Sequence, residues 1–225
     1  TVLIPVKYPE YANRLTNLAL LMRNPKRDHD LVALSVVYDD ANIDRQRAEG
    51  CKLLEQVTSY AASADVKMQS QLRVATNIAN GIMHAFKEFR ATEVVIGMHM
   101  HFSDSTTFWG KFHQSLFNGL SRQIIMARLM QPLSTLRRIV VCVPSRAQFE
   151  PGFYRWLERL SRLAENLDCR IAYHGRQDTL TRIRQYELNH HESVRAEYVE
   201  MEHWNELPTL AAQIKEDHIF VVVTA

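Results

Sequence analysis

The chain has 225 residues, 46% of them hydrophobic and 23% charged, which is an ordinary globular composition with room for one large domain or two small ones. Its formal charge of +2 divides into +3 for residues 1–135 (15 Lys and Arg against 12 Asp and Glu) and −1 for 136–225 (12 against 13), so neither half carries the basic excess of a nucleic-acid binder. No apolar run approaches the roughly 18 residues needed to span a bilayer, and three cysteines (Cys51, Cys142, Cys169) without CxxC spacing read as small buried hydrophobes in a reducing compartment.

In chain order, Val2–Val6 is a short β-branched run that reads as a buried strand. Ala12, Leu15, Ala19 and Met22 then form the stripe of an amphipathic helix. Leu31–Val37 is a second buried strand, and Cys51, Leu54, Val57 and Ala61 stripe a second helix. Val66, Met68, Ser70, Leu72 and Val74 alternate with polar residues, the pattern of a half-exposed edge strand. A helix over Ala75, Ile78, Ala79, Ile82, Met83 and Phe86 is expected to start from a Thr76 N-cap. Val94–Gly97 is the fourth strand. A hydroxyl-rich loop (Ser103–Thr107) and a stripe at Trp109, Phe112, Leu116 and Leu120 follow, and Leu129–Leu133 is expected as a fifth, edge strand because of Pro132.

The pattern restarts at Arg137. Ile139–Val143, a stripe over Phe153, Trp156, Leu157, Leu160, Ala164 and Leu167, then Cys169–Tyr173 repeat the opening elements. A helix over Leu180–Leu188, an alternating strand over Val194–Met201, a helix from Pro208 to Lys215 and a strand at Ile219–Val223 complete the series. From the end of strand one to the end of strand four is about 90 residues in the first half and about 80 in the second, which indicates a tandem repeat. The expected organisation is one α/β domain over 1–135 and a second, truncated copy over 136–225. Strands alternating with helices imply right-handed crossovers, a parallel sheet and a three-layer α/β/α sandwich. The chain opens on Thr1 and closes on Ala225, each beside an apolar run. This reads as a piece of a longer protein.

In an open parallel sheet, ligands bind beyond the carboxyl ends of the strands where the strand order reverses. With order 3-2-1-4-5 that crevice lies between strands one and four, lined by Pro5–Lys7 and by the loop from Gly97. Glycine usage points to the same place. Only 7 glycines occur in the chain, yet Gly97, Gly110 and Gly119 fall close together, as where a backbone must approach a ligand.

Val94–Gly97 followed by Met98-His99-Met100-His101 resembles the universal stress protein family, whose phosphate loop reads G-x2-G-x9-G-[ST]. Gly97, Met100, Gly110 and Lys111 keep that spacing, and His99 and His101 match the common histidine version. The strand VLIPV and the helix after it fit the family's opening, and the element order fits the whole chain as a tandem. The resemblance implies the adenine nucleotide alpha hydrolase-like fold with strand order 3-2-1-4-5. It also implies a ligand site lined by Pro5, Val6, Lys7, Val37, Gly97, Met98, His99, Met100, Gly110 and Lys111, with ATP, ADP or AMP as ligand. Three positions depart from the pattern. Lys7 stands where nucleotide binders carry Asp, Met100 replaces the second glycine and Lys111 replaces the hydroxyl residue. A β-carbon at Met100 crowds the amides that cradle phosphates, while Lys111 offers an anion a stronger charge.

Such tandem domains occur as cytoplasmic tails of monovalent cation:proton antiporters, Na+/H+ exchangers among them. The resemblance therefore implies a non-catalytic regulatory domain on the cytoplasmic face of the inner membrane, attached to a membrane-embedded antiporter part and forming a homodimer. Two alternatives stand beside it: a stand-alone stress-response interaction module without ligand, and a weak nucleotide-hydrolysing enzyme. Of the remaining features, His99 and His101 form a conceivable metal pair without further ligands, and His190-His191 reads as surface. Phe108, Trp109 and Phe112 read as core or a dimer face before a base-stacking platform. No G-x-S-x-G elbow supports a hydrolase at Ser103–Thr107.

Overall fold

The computed structural model describes residues 1–27, 30–98, 114 and 122–224. The chain divides into two compact units, one of residues 1–20 and 24–130, the other of residues 21–23 and 131–225.

The first unit runs β1 (Val2–Pro5), α1 (Pro9–Met22, its last two residues grouped with the other unit), β2 (Leu31–Tyr38), α2 (Ile43–Ser63), β3 (Gln69–Ala75), α3 (Ile78–Glu88), β4 (Glu93–Gly97) and β5 (Gln123–Ala127). All five strands are parallel, in the order β3-β2-β1-β4-β5. That is the expected fold class. The α1 stripe lies where the spacing put it, with Ala12, Leu15, Ala19 and Met22 all buried. Helices cover both faces of the sheet, and two glycines show how closely. A β-carbon on Gly50 of α2 would meet Ser35 Oγ at 2.8 Å, and one on Gly81 of α3 would meet Val36 Cγ1 at 2.7 Å. Ser35 and Val36 are consecutive on β2 and so point to opposite faces. The α3 face is an apolar cluster that includes Ile82, Phe86, Leu3, Leu34 and Val94.

Three expectations are corrected here. The fifth strand is Gln123–Ala127, which pairs with β4 from Glu93↔Gln123 to Gly97↔Ala127, whereas residues 129–132 lie outside any strand and Leu133 opens a 3-10 turn. The N-cap of α3 is Asn77, not Thr76. Its side chain accepts the Asn80 N–H at 3.3 Å, because β3 continues to Ala75 and the chain turns one residue later. Cys51 is exposed. Gly50, pressed against the sheet, turns α2 so that Leu53, Leu54, Val57 and Ala61 make the buried face instead. The stripe at Trp109–Leu120 lies outside the described residues.

The second unit runs β6 (Arg138–Cys142), α4 (Phe153–Leu167), β7 (Arg170–Gly175), α5 (Gln177–His190), β8 (Ala196–Glu200), α6 (Leu207–Ala211) and β9 (His218–Val222). Its four parallel strands take the order β8-β7-β6-β9, which reproduces the first four positions of the first sheet. Phe153, Leu157, Leu163, Tyr173 and Ile183 are fully buried in its core. One further expectation fails in this unit: His191, read as surface, is 5% exposed.

Candidate functional site

The carboxyl edge of the first sheet holds the described members of the expected site. Pro5 pairs with Leu34, and the Val6 N–H donates to the Leu34 carbonyl at 2.8 Å. Val6 therefore faces β2, and by strand alternation Leu3 and Pro5 turn their backbone groups toward β4. Pro5 has no N–H to give. The β1–β4 ladder accordingly consists of Val2↔Glu93 and Leu3↔Val94. The counterpart ladder in the second unit runs the full length of its strands, from Arg138↔His218 to Cys142↔Val222, and the Val223 N–H then donates to the Cys142 carbonyl at 3.0 Å. The proline thus falls where the strand order of the first sheet reverses, the position at which open α/β sheets bind ligands.

Lys7 follows at this edge with its side chain exposed. Its ammonium lies 5.6 Å from the Tyr8 ring centroid and 6.0 Å from that of Tyr38, within cation–π range of both. Tyr38 closes β2 beside the buried Val37, and burial raises its phenol above the ordinary value, so it stays neutral. The loop after β2 is tied down by its own side chains. Tyr38 N–H donates to Gln46 Oε1 at 2.9 Å, and Asp40 Oδ1 accepts from the Gln46 amide at 2.9 Å and from Asn42 N–H at 2.8 Å. Asp40 is thereby a loop staple. At the end of β4, Gly97 pairs with Ala127, and the Met98 N–H donates to the Ala127 carbonyl at 2.7 Å.

The structure therefore brings Pro5, Val6, Lys7, Val37, Gly97 and Met98 to one edge. His99, Met100, Gly110 and Lys111 lie outside the described residues. Tyr8 and Tyr38 escaped the sequence reading, although each sits within three residues of a strand's carboxyl end. Among the described residues no group of three or more His, Cys, Asp or Glu is placed to hold a metal ion, and no helix is long and apolar enough to cross a membrane.

The arrangement is that of an open parallel α/β sheet with a cation at its switch point. No protein-family model matches the sequence, and no curated protein matches it. Solved structures do. A universal stress protein from Archaeoglobus fulgidus DSM 4304 is similar over 94% of this chain and 80% of its own, with a TM-score of 0.62 and 12% identity. The cytoplasmic domain of a prokaryotic cation chloride cotransporter is similar over 98% of this chain and 84% of its own, with a TM-score of 0.61 and 10% identity. At these identities the likeness is one of fold: a parallel-sheet, universal-stress-like α/β sandwich.

Proposed function

We propose that the chain is a non-catalytic regulatory module of two universal-stress-type units, residues 1–135 and 136–225, whose first unit binds an anionic ligand at the carboxyl edge of β1 and β4. An adenine nucleotide (ATP, ADP or AMP) is the first candidate. The observation that carries this reading is Lys7, a cation seated on two tyrosine rings beside the proline that ends the β1–β4 ladder. Among the described residues Lys7 has no ion-pair partner, so its charge is available to a phosphate or carboxylate. The remaining site residues of this reading are His99, Met100, Gly110 and Lys111.

The reading extends to a partner. Similarity over 98% of the chain to a cotransporter's cytoplasmic domain supports attachment to a membrane-embedded transporter part; we assign a cation:proton antiporter, with this module on the cytoplasmic face of the inner membrane. The coding sequence on either side tests that step, which requires about ten or more apolar segments of roughly 20 residues each.

Calorimetry on the chain with ATP, ADP, AMP and cyclic dinucleotides tests the site. Lys7→Ala and Lys111→Ala should each weaken binding by the worth of one charged hydrogen bond, about 1.5–3 kcal/mol, or roughly ten- to a hundredfold. Binding that both variants leave unchanged would place the ligand elsewhere. A chain that takes none of these ligands would be an interaction module, a second reading favoured by the uncharged outer strands β5 and β9.

A further inference from the structure

The second unit holds a buried histidine with acidic groups on both sides. His191 follows the last turn of α5, with a side chain 4% exposed. Its Nε2 lies 2.7 Å from Glu158 Oε2 and its Nδ1 lies 2.8 Å from Glu165 Oε1. Both carboxylates belong to α4, seven residues and about two turns apart on the same face. A carboxylate oxygen accepts and does not donate, and a neutral imidazole carries one N–H only. A ring that satisfies both contacts has a proton on each nitrogen.

We propose that His191, as the imidazolium, is a proton-dependent latch that pins the end of α5 and the turn leading to β8 onto α4. The reading is independent of the ligand site in the first unit.

The surroundings decide its direction. From α4, the Arg162 guanidinium donates to Glu158 Oε1 at 2.8 Å, so Glu158 keeps one cationic partner whatever the state of the ring. Among the described residues Glu165 has the ring and a long contact from Ser193 Oγ at 3.4 Å. From α5, the Tyr186 hydroxyl donates to Glu158 Oε2 at 2.7 Å, and the exposed His190 stacks on the Tyr186 ring. Also on α5, Glu187 is buried with Oε1 bonded to Ser161 and Tyr173 and Oε2 unpartnered. Glu158, Glu165, Tyr186 and Glu187 therefore face His191, with Arg162 on Glu158. Loss of the ring proton leaves a nitrogen lone pair against a carboxylate oxygen, and Glu165 has the fewest other donors. The latch opens there as pH rises.

The backbone carries that event onward. The His191 N–H donates to the Glu187 carbonyl at 2.8 Å and the Val194 N–H to the His191 carbonyl at 3.1 Å. One residue further, the Arg195 carbonyl accepts the Ile171 N–H at 3.1 Å, which docks β8 beside β7.

Nitrogen-15 NMR of the 225-residue chain tests the latch through the imidazole resonances of His191 and amide exchange over Glu187–Arg195, recorded from acidic to alkaline pH. The expected result is a ring with a proton on each nitrogen wherever the amides stay closed. After correction for intrinsic exchange, the amides should open about tenfold more as the ring loses its proton, the loss of one charged hydrogen bond. In Glu165→Gln, which keeps an acceptor and removes one charge, the pH-linked opening should shrink. A neutral ring with the amides still closed would overturn the proposal. So would amide opening that ignores the ring's titration, or one that Glu165→Gln leaves untouched.

Discussion

At the scale of single residues, the second unit places two glutamates in opposite situations around Tyr186 and His191. Burial raises Glu158 against its neighbours, but hydrogen bonds from Arg162, Tyr186 and His191 win and bring it down to about 2. Burial lifts Glu187 above the ordinary 4.5, and the hydroxyls of Tyr173 and Ser161 only partly offset it. The stability consequences have opposite signs. Glu158, depressed in the folded chain, contributes stability that is present above 4.5 and lost as pH falls toward 2. Glu187, raised in the folded chain, binds its proton more tightly folded than unfolded, so stability decreases as pH climbs from 4.5 through the folded value. Glu187→Gln retains an acceptor for both hydroxyls and removes the charge. Its melting temperature relative to wild type should therefore improve steadily from pH 4 to neutrality, followed by circular dichroism; a difference that is flat or falls with pH would contradict the assignment. Tyr173→Phe, which deletes one donor to the same carboxyl at a fully buried position, should cost about 1–2 kcal/mol in denaturant unfolding.

At the scale of elements, seating helices on a sheet decides where strands can end, and so where the crevice lies. Helix α3 crosses from β3 to β4 and rests on Val36 through Gly81, where an added β-carbon meets that side chain at 2.7 and 3.1 Å and Ala75 Cβ at 3.3 Å. Alanine normally gains about 1 kcal/mol over glycine inside a helix. Here a β-branched neighbour and a strand-borne methyl leave it no room. Gly81→Ala should accordingly destabilise the chain by about 1–2 kcal/mol net, read from urea unfolding, and a stabilised variant would show that α3 can lift off the sheet cheaply. The same packing explains which elements the sequence disclosed. Strands buried on both faces, such as Leu31–Tyr38, and clean stripes, such as Ala12 to Met22, announce themselves by period alone. Cys51 fitted the stripe of α2 on spacing, but the close approach at Gly50 turned that face away. Strand β5 was passed over because Ile124–Met126 is short, while Leu129–Leu133 had the Pro132 expected of an edge. The switch point between β1 and β4 was legible through the strand order, whereas the latch was not: Glu158, Glu165 and His191 are brought together only when α5 folds back on α4.

At the scale of the whole molecule, the two sheets end in four outer strands whose chemistry differs. β3 carries Arg73, and β8 carries Glu197 and Glu200. Charges on an outer strand discourage pairing with a second chain. β5 (QIIMA) and β9 (HIFVV) carry no lysine, arginine or carboxylate. Every residue of β9 is partly exposed, with Val222 at 42%, whereas the corresponding β4, flanked by β5, is buried from Glu93 to Ile96. The uncharged outer strands thus lie on the strand-four side of each sheet. The homodimer that the sequence resemblance implies would use such an edge. Pairing five residues alone buries much less than the roughly 800 Å² per partner of a stable interface, so the association should be weak, about micromolar. Val222→Lys places a charge at an already exposed position of β9 and should shift sedimentation toward the monomer without lowering the melting temperature. If the variant sediments as wild type while Ile125→Lys, folded, dissociates, the contact belongs to β5. If the wild-type chain stays monomeric at high micromolar concentration, the uncharged edges serve something other than a second copy. A ligand at Lys7 would then act on the attached protein only through its differing affinity for that protein's two states.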